Sequence, residues 1–516
     1  GAAHWQQPIV FRYFAVIFAV MIYRIKLSDA LKYERNTNTA KNVIIFLGDG
    51  MNSETVTASR IYNGGEQSYL AWEKFPHIGL VKTYDSDKQV ADSASTATAI
   101  FCGVKTNYKL AGVDANVKVA DCEAALKKEN QVDSIIAWAQ AAGKDTGFVT
   151  TARITHATPS ALYAHTADRE WECEQTMPRS AANCKDIARQ LIEDQPGRDI
   201  KVIMGGGRQF LISNSTPRDG DPIDNSSCYS KDGRNLIKDW AADKARRNFS
   251  HTAVQNNEEL FQVDPEKTDF LLGVFSNGYM SMDWERKTGP KGQPSLENMT
   301  TTAIKILQKS KKGFVLMVEG GLIDVAHHRG YAAQALRETV RFSDAINATL
   351  DLVDTNETLI IVTSDHGHAM TFRGISERGS NILGIAESSE YDNIPYTTLG
   401  YATGGPRNMG YEVYNATKVV RRDPSLQDTT AFTYSQDAGV INDMGRHSGV
   451  DVAVYAIGPY AHLFHSTHEQ SFIAHAAAFS AKIGEHYTSH GSNLTACSLI
   501  LLIMVLLIFL RLCVLK

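Results

Sequence analysis

"FVLMVEGGLIDVAHH", residues 314–328, changes its period halfway along. Phe314–Val318 is an unbroken apolar run, the pattern of a strand buried on both faces. Glu319 closes that run, Gly320 and Gly321 turn the chain, and Asp324 and His328 then stand four apart. On a helix those two side chains share one face. Taken alone, the pair is a solvated acid–base pair beside a glycine turn. A metal site needs further ligands from elsewhere in the chain.

The same design recurs twice. "NVIIFLGDGM" (42–51) ends an apolar run with Asp49, and "LIIVTSDHGH" (359–368) ends one with Asp365 and His366. In open α/β sheets, sites lie outside the carboxyl ends of the strands. If these three strands are parallel, all three acidic clusters line one edge. Three coincidences of metal-ligand residue types at one edge outweigh three separate polar strand endings.

Further strand-like runs are Gly147–Thr151, Lys201–Met204 and Val452–Ile457, and Val132–Ala142 and Ala332–Leu352 have helical composition and spacing. The alternation predicts an α/β fold, a central and largely parallel sheet flanked by helices. Residues 372–440 are rich in Gly, Ser, Asn and Tyr with weak periodicity, and read as a small inserted subdomain carried on that core.

Composition is that of an ordinary globular core, 43% hydrophobic and 21% charged, and a net charge of −5 leaves no basic footprint for nucleic acid. Both ends read as processing signals. Arg12 precedes the apolar stretch Tyr13–Tyr23, and Ser28-Asp29-Ala30 offers a small-residue cleavage site, so residues 1–30 are expected to be a signal peptide. Residues 491–516 contain the wholly apolar Leu499–Leu510 behind a polar spacer, a pattern that fits a lipid-anchor signal better than a full span, with Ser489 as the attachment residue. Residues 31–490 are then the catalytic domain. Eight Asn-x-Ser/Thr sequons agree with a secreted chain on the outer face of the plasma membrane. Cys122, Cys173, Cys184 and Cys228 allow two bridges in such a compartment, with the connectivity open, whereas Cys102 reads as a buried thiol.

Histidine with carboxylate suits Zn²⁺, and all-oxygen ligands suit Mg²⁺. Asp365 and His366 need a third group, for which Asp49 is available. Asp324 and His328 need one more histidine, for which His447 is the candidate and His368, His327, His462 and His465 are alternatives. A nucleophile is hinted at by "ADSASTATAIFCG" (91–103), where Ser93 opens a small-residue segment suited to a tightly packed helix. An isolated serine there is ordinarily a helix cap. No Gly-x-Ser-x-Gly elbow supports a triad, but metal coordination can activate a hydroxyl instead.

Together, "FLGDGM", "DSASTATA", "HATPSALYAHTADR", "VEGGLIDVAHH", "SDHGH" and "RHSGVDVAVYAIGP" are similar to the motifs of the alkaline phosphatase family, in family order. The similarity spans residues 40–480 and is strongest toward animal, lipid-anchored members. It implies Ser93 as nucleophile and a phosphoserine intermediate. It implies one Zn²⁺ on Asp324, His328 and His447, and another on Asp49, Asp365 and His366. It places Mg²⁺ on Asp49, Thr158 and Glu319 with His156 beside it, and makes Arg169 the clamp on the phosphoryl oxygens. The same resemblance implies broad phosphomonoesterase activity, a homodimer with 372–440 at its interface, and the pairings Cys122–Cys184 and Cys173–Cys228.

Two features depart from the family. A calcium site expected between the strands near 205 and 314 lacks its acids, since Ser276 follows Phe275 and Gln293 stands where an acid is expected, so calcium is not carried over. Val325 occupies a position where the family has histidine or lysine. Rival readings are a related phosphodiesterase, which usually has a threonine nucleophile, a sulfatase, whose Cys/Ser-x-Pro-x-Arg motif is absent, and a catalytically silent surface protein on the same fold.

Overall fold

The computed structural model describes residues 34–486 except 224–227, 229, 416 and 417, together with a few residues between 20 and 31. The chain divides into two units, Gly1–Thr37 and Asn38–Lys516. In the first, the described residues between 20 and 31 are helical. The expected signal peptide falls largely, and Ser489 with the C-terminal tail entirely, outside the described residues. Among the described residues no helix is long and apolar enough to cross a membrane.

The second unit is built on a ten-stranded sheet. Its strands are β1 (Asn42–Gly48), β2 (His77–Lys82), β3 (Asp145–Arg153), β4 (Val202–Gly206), β5 (His251–Val254), β6 (Phe270–Val274), β7 (Phe314–Gly320), β8 (Thr358–Thr363), β9 (Val452–Ile457) and β10 (Ser466–Glu469). Their spatial order is β10-β2-β9-β8-β1-β7-β3-β4-β6-β5. Only β9 runs against its neighbours, β8 and β2. All six runs read from the sequence lie in this sheet; β2, β5, β6 and β10 were not among them.

The helices that frame the sheet include α1 (Ser53–Gly64), α2 (Ser93–Cys102), α3 (Ile135–Ala141), α4 (Leu296–Leu307), α5 (Leu322–His328), α6 (Ala332–Leu350) and α7 (Phe472–Ala481). The expected helix Val132–Ala142 begins only at Ile135, because the Ser134 hydroxyl caps it by accepting from the Ala137 N–H. α6 ends at Leu350, two residues short of the expected Leu352.

β1 shows why the central strands are continuously apolar. Val43, Ile45 and Leu47 enter one core with α2, α3 and α7. Ile44 and Phe46 enter the other with α4 and α6. Phe46 meets Phe342 of α6 edge-on at 5.8 Å, and truncating it to alanine would cost about 3–5 kcal/mol.

Residues 370–441 stand apart from this sheet. Met370–Phe372, Leu399–Gly404 and Ala438–Ile441 form a three-stranded sheet of their own, beside two short hairpins. Their apolar side chains share a separate core with Ala58 of α1 and Leu336 of α6. Disulfides join Cys122 to Cys184 and Cys173 to Cys228. Cys102 is free and buried, and burial pushes its thiol pKa up.

Candidate metal centre and phosphoryl site

The register aligns the three acidic strand ends. β1 pairs in parallel with both β7 and β8, so that Leu47 stands opposite Glu319 and also opposite Thr363. Asp49, Glu319 and Asp365 therefore leave one edge of the sheet side by side. A tight turn follows β1 at Gly50, whose φ is +67°; a Cβ there would lie 2.5 Å from His368 Cδ2. Glycine satisfies both demands. The Gly50 N–H then donates to Asp365 Oδ1 at 2.9 Å, fixing one carboxylate with the backbone that carries another.

Three overlapping groups of ligand atoms form at this edge. Asp324, His328, His368 and His447 make the first. Asp324 Oδ1 lies 2.6 Å from His368 Nε2, 3.2 Å from His328 Nε2 and 3.4 Å from His447 Nε2. His447 arrives on a two-residue ribbon, His447–Ser448, paired antiparallel with Gly367–His368. Asp49 anchors the other two, one with Asp324 and with His366 at 3.4 Å, and one with Glu319 and His156. His366 Nε2 is also 3.2 Å from Asp365 Oδ2 and 3.2 Å from Ser93 Oγ.

The charges explain what this site requires. Asp49, Glu319 and Asp365 are fully buried. Burial raises all three pKa values, Glu319 to about 7 and Asp365 to about 6, and the charge of Asp324 adds to the rise in each. Asp324 goes the other way: burial opposes ionisation, but His328 and the hydrogen bonds from three histidines hold its pKa well down. Burial pushes His368 down to about 3 and also lowers His366. Both oxygens of Asp49, Glu319 Oε1, Asp365 Oδ2 and Thr158 Oγ1 are buried without a hydrogen-bond partner among the described residues. Each orphaned polar atom costs about 1–3 kcal/mol, and a charged one more. Divalent cations remove that cost, so the donor set fits metals: nitrogen and oxygen on the histidine side, oxygen around Glu319 and Thr158.

Ser93 is the first residue of α2, whose ten residues are all buried. Asp92 caps the helix, accepting from the backbone of Ala94 and Ser95. The same carboxylate accepts from the Lys109 N–H at 2.9 Å and from Arg169 Nη1 at 3.0 Å. Nη2 of Arg169 lies 3.1 Å from His156 Nε2, which also meets the Tyr279 hydroxyl at 3.0 Å. Burial and the two nearby arginines push the His156 pKa well down, so its ring is neutral. Arg169 is thus held from two sides at the wall of a cleft of about 800 Å³, lined also by His328, His447 and Val325.

Every residue read from the sequence as a ligand, nucleophile or clamp lies at this edge. The alternatives divide. His368 joins the ligand group, and its alternation with His366 in Ser364–His368 was the available signal, since residues two apart on an extended segment face one way. His327 does not join, for its ring is held by Tyr401 at 2.9 Å and Thr55 at 3.0 Å. His465 lies 2.8 Å from His77, and His77 begins β2 at the opposite edge of the sheet. At the position expected to carry a calcium-binding acid, Gln293 instead accepts from the Ser281 N–H at 2.8 Å. Asp92, as the partner of Arg169, had no local signal.

The sequence profile described as alkaline phosphatase matches residues 40–483. The tissue-nonspecific alkaline phosphatase isozyme of Felis catus is 44% identical over 469 residues, covering 89% of this chain and 87% of that protein. Alkaline phosphatase of Gadus morhua is 44% identical over 461 residues, 87% of this chain and 94% of its own length. Among solved structures, alkaline phosphatase from the Antarctic bacterium TAB5 shares the fold with a TM-score of 0.59 at 24% identity, covering 86% of this chain and 99% of that one. A variant of the TAB5 protein, with a TM-score of 0.61 at 23% identity over 87% of this chain and 100% of that one, holds magnesium in its M3 site. The chain belongs to the alkaline phosphatase family, the metal-dependent hydrolases of phosphate monoesters.

Proposed function

We propose that the chain transfers the phosphoryl group of a monoester to Ser93 and then to water, with little demand on the alcohol. The observation that supports this reading is the approach of Ser93 Oγ to within 3.2 Å of His366, beside carboxylates several of whose buried oxygens have no hydrogen-bond partner among the described residues. In this reading Asp324, His328 and His447 hold one Zn²⁺, Asp49, Asp365 and His366 hold a second, and Asp49, Thr158 and Glu319 hold Mg²⁺. Bound there, the metals would lower the hydroxyl's pKa and stabilise the attacking and leaving oxygens of an in-line displacement.

The chain's own residues do the rest. Ser93 Oγ forms a bond to phosphorus as the bond to the ester oxygen breaks, and the departing alkoxide takes up a proton. Arg169, braced by Asp92 and His156, offers its remaining N–H donors as a fork to two phosphoryl oxygens, which lysine cannot match. The N-terminus of α2 favours the negative charge that collects there. Water then displaces Ser93 from phosphorus, regenerating the hydroxyl and releasing phosphate. These contacts address the phosphoryl group, which is why many alcohols are tolerated.

The test is phosphate trapped at acidic pH and located by mass spectrometry. It should sit on Ser93 and vanish in Ser93→Ala; phosphate on another residue would reassign the nucleophile. Metal analysis should return two zinc ions and one magnesium per chain.

We also assign residues 1–30 to a signal peptide, 31–490 to the catalytic domain with 372–440 as its inserted subdomain, and 491–516 to an anchor signal with Ser489 as the attachment site. The two disulfides support an oxidising, extracytoplasmic setting. Release of the protein from cells by a phosphatidylinositol-specific phospholipase tests the anchor. A homodimer through the 372–440 region is supported by its exposed apolar side chains, Tyr391, Val413 and Leu426 among them. Sedimentation tests it.

A further inference from the structure

Five cations line the cleft, and the reaction proposed above uses one. Arg153 is engaged by Glu172, with contacts down to 2.6 Å. Arg169 is held by Asp92. Lys109 stands 4.0 Å from Glu170, a carboxylate on the same wall. Arg329 and Arg446 remain. Arg446 touches Asp443 at 2.6 Å through one terminal nitrogen, but its side chain is 54% exposed and the other donors are open to solvent. No carboxylate among the described residues comes within ion-pair distance of Arg329, which is exposed. Neither guanidinium reaches the groups that hold Ser93.

Their placement gives them a direction. Arg329 follows His328 and Arg446 precedes His447, and the Nε2 atoms of those two histidines are 3.1 Å apart. Ser93 Oγ contacts His366 rather than this pair, so in the reading above in-line transfer sends the leaving oxygen away from Ser93 and toward the pair's side of the cleft. Both arginines therefore border the alcohol half of the cleft, while Arg169 borders the phosphoryl half.

We propose that Arg329 and Arg446 are specificity determinants for monoesters whose alcohol carries a second negative charge, a carboxylate or another phosphate. The inference rests on the phosphomonoesterase reading and adds a preference within it. Cations on an open rim act through partly screened attraction, so the effect is moderate and falls with salt.

The probes are 4-carboxyphenyl phosphate and its near-isostere 4-carbamoylphenyl phosphate, and the readout is the ratio of their kcat/KM values. That ratio should drop about three- to tenfold from the wild type to Arg329→Gln/Arg446→Gln, the size expected for two partly exposed charge pairs. Arg329→Lys/Arg446→Lys should retain it. Raising the salt from about 20 mM to about 1 M should lower the wild-type ratio similarly, independently of whether any variant folds. A ratio unchanged by the glutamine substitutions, or flat across the salt series, overturns the proposal. Failure of the metal-loaded wild type to hydrolyse either ester would overturn the phosphomonoesterase reading instead.

Discussion

Two buried acidic clusters lie close together beyond the ends of β3 and β7, and the chain treats them in opposite ways. Asp283 and Glu338 line a cavity of about 190 Å³ that also touches Thr151 and Gly320. Here the chain supplies its own cations: Asp283 meets Arg286 at 2.9 Å and Arg337 at 2.7 Å. The Asp283 N–H donates to Glu338 at 2.6 Å. One position away on each strand, Thr150 and Glu319 belong to the other cluster. There the Thr150 hydroxyl donates to Glu319 at 2.5 Å, but among the described residues Asp49, Glu319 and Asp365 have no arginine or lysine partner, and several oxygens are orphaned. Carboxylates that a chain neutralises internally are part of its architecture. Carboxylates left for an external cation form a site, and stability there is given up for binding.

Metal removal should break this comparison most visibly. Exhaustive chelation should reduce aryl phosphate hydrolysis to background and lower the melting temperature, with both restored by Zn²⁺ and Mg²⁺. Ligands that bind only the folded state stabilise it by about 4 kcal/mol at a thousand times their Kd. Undiminished activity in protein shown to be metal-free would place the chemistry elsewhere. The arginine-matched cluster should respond in the complementary way. Asp283→Ala strands Arg286 and Arg337 and should cost about 3 kcal/mol of stability, with metal content unchanged. Denaturant unfolding measures the first, and elemental analysis the second.

A smaller effect separates the two carboxylates of that cluster. Burial raises the Glu338 pKa from 4.5 to about 7, although the Asp283 N–H and two arginines pull it back. A raised carboxyl pKa contributes stability that is full below the unfolded value of 4.5 and is lost as pH rises through 7. Metal-loaded protein should therefore lose about 2 kcal/mol between pH 5 and 8 from this group. Glu338→Gln should flatten that part of the melting curve; an unaltered slope would assign it to other groups.

What the sequence revealed follows the same physical division. β1, β7 and β8 were legible because burial on both faces forces continuous apolar runs, and an acid that ends such a run stands out. β5, "HTAV", and β10, "STHE", lie at the sheet's margins, where solvent permits polar residues and four positions carry no period. Strand direction left no trace either, for β9 reads like the parallel strands although it runs against both its neighbours. The ligands Asp49, Glu319, Asp324 and Asp365 were readable from position. His368's contact with Asp324 was not, because it joins segments 44 residues apart. Asp92 bracing Arg169 across 77 residues is hidden for the same reason.

The smallest predicted effect concerns Val325, the residue after Asp324. It is 9% exposed, lines the cleft, and packs with Met282, Leu322, Ala326 and Ala335 against Tyr279. Resemblance places a histidine or lysine here in the family, and either would present a donor toward bound phosphate. Valine has none, so product phosphate is held by fewer contacts. A hydrogen bond of ordinary net strength is worth about 0.5–1.5 kcal/mol, a factor of about two to twelve in affinity. A partly open cleft and a bridging water favour the lower end. Val325→His should therefore tighten competitive inhibition by inorganic phosphate about threefold. Where product release limits turnover, kcat should fall by a similar factor while the single-turnover rate of phosphoserine formation is unchanged. An unaltered phosphate inhibition constant in folded, fully metallated Val325→His would mean that this side chain only packs, and that Arg169 is the donor facing product.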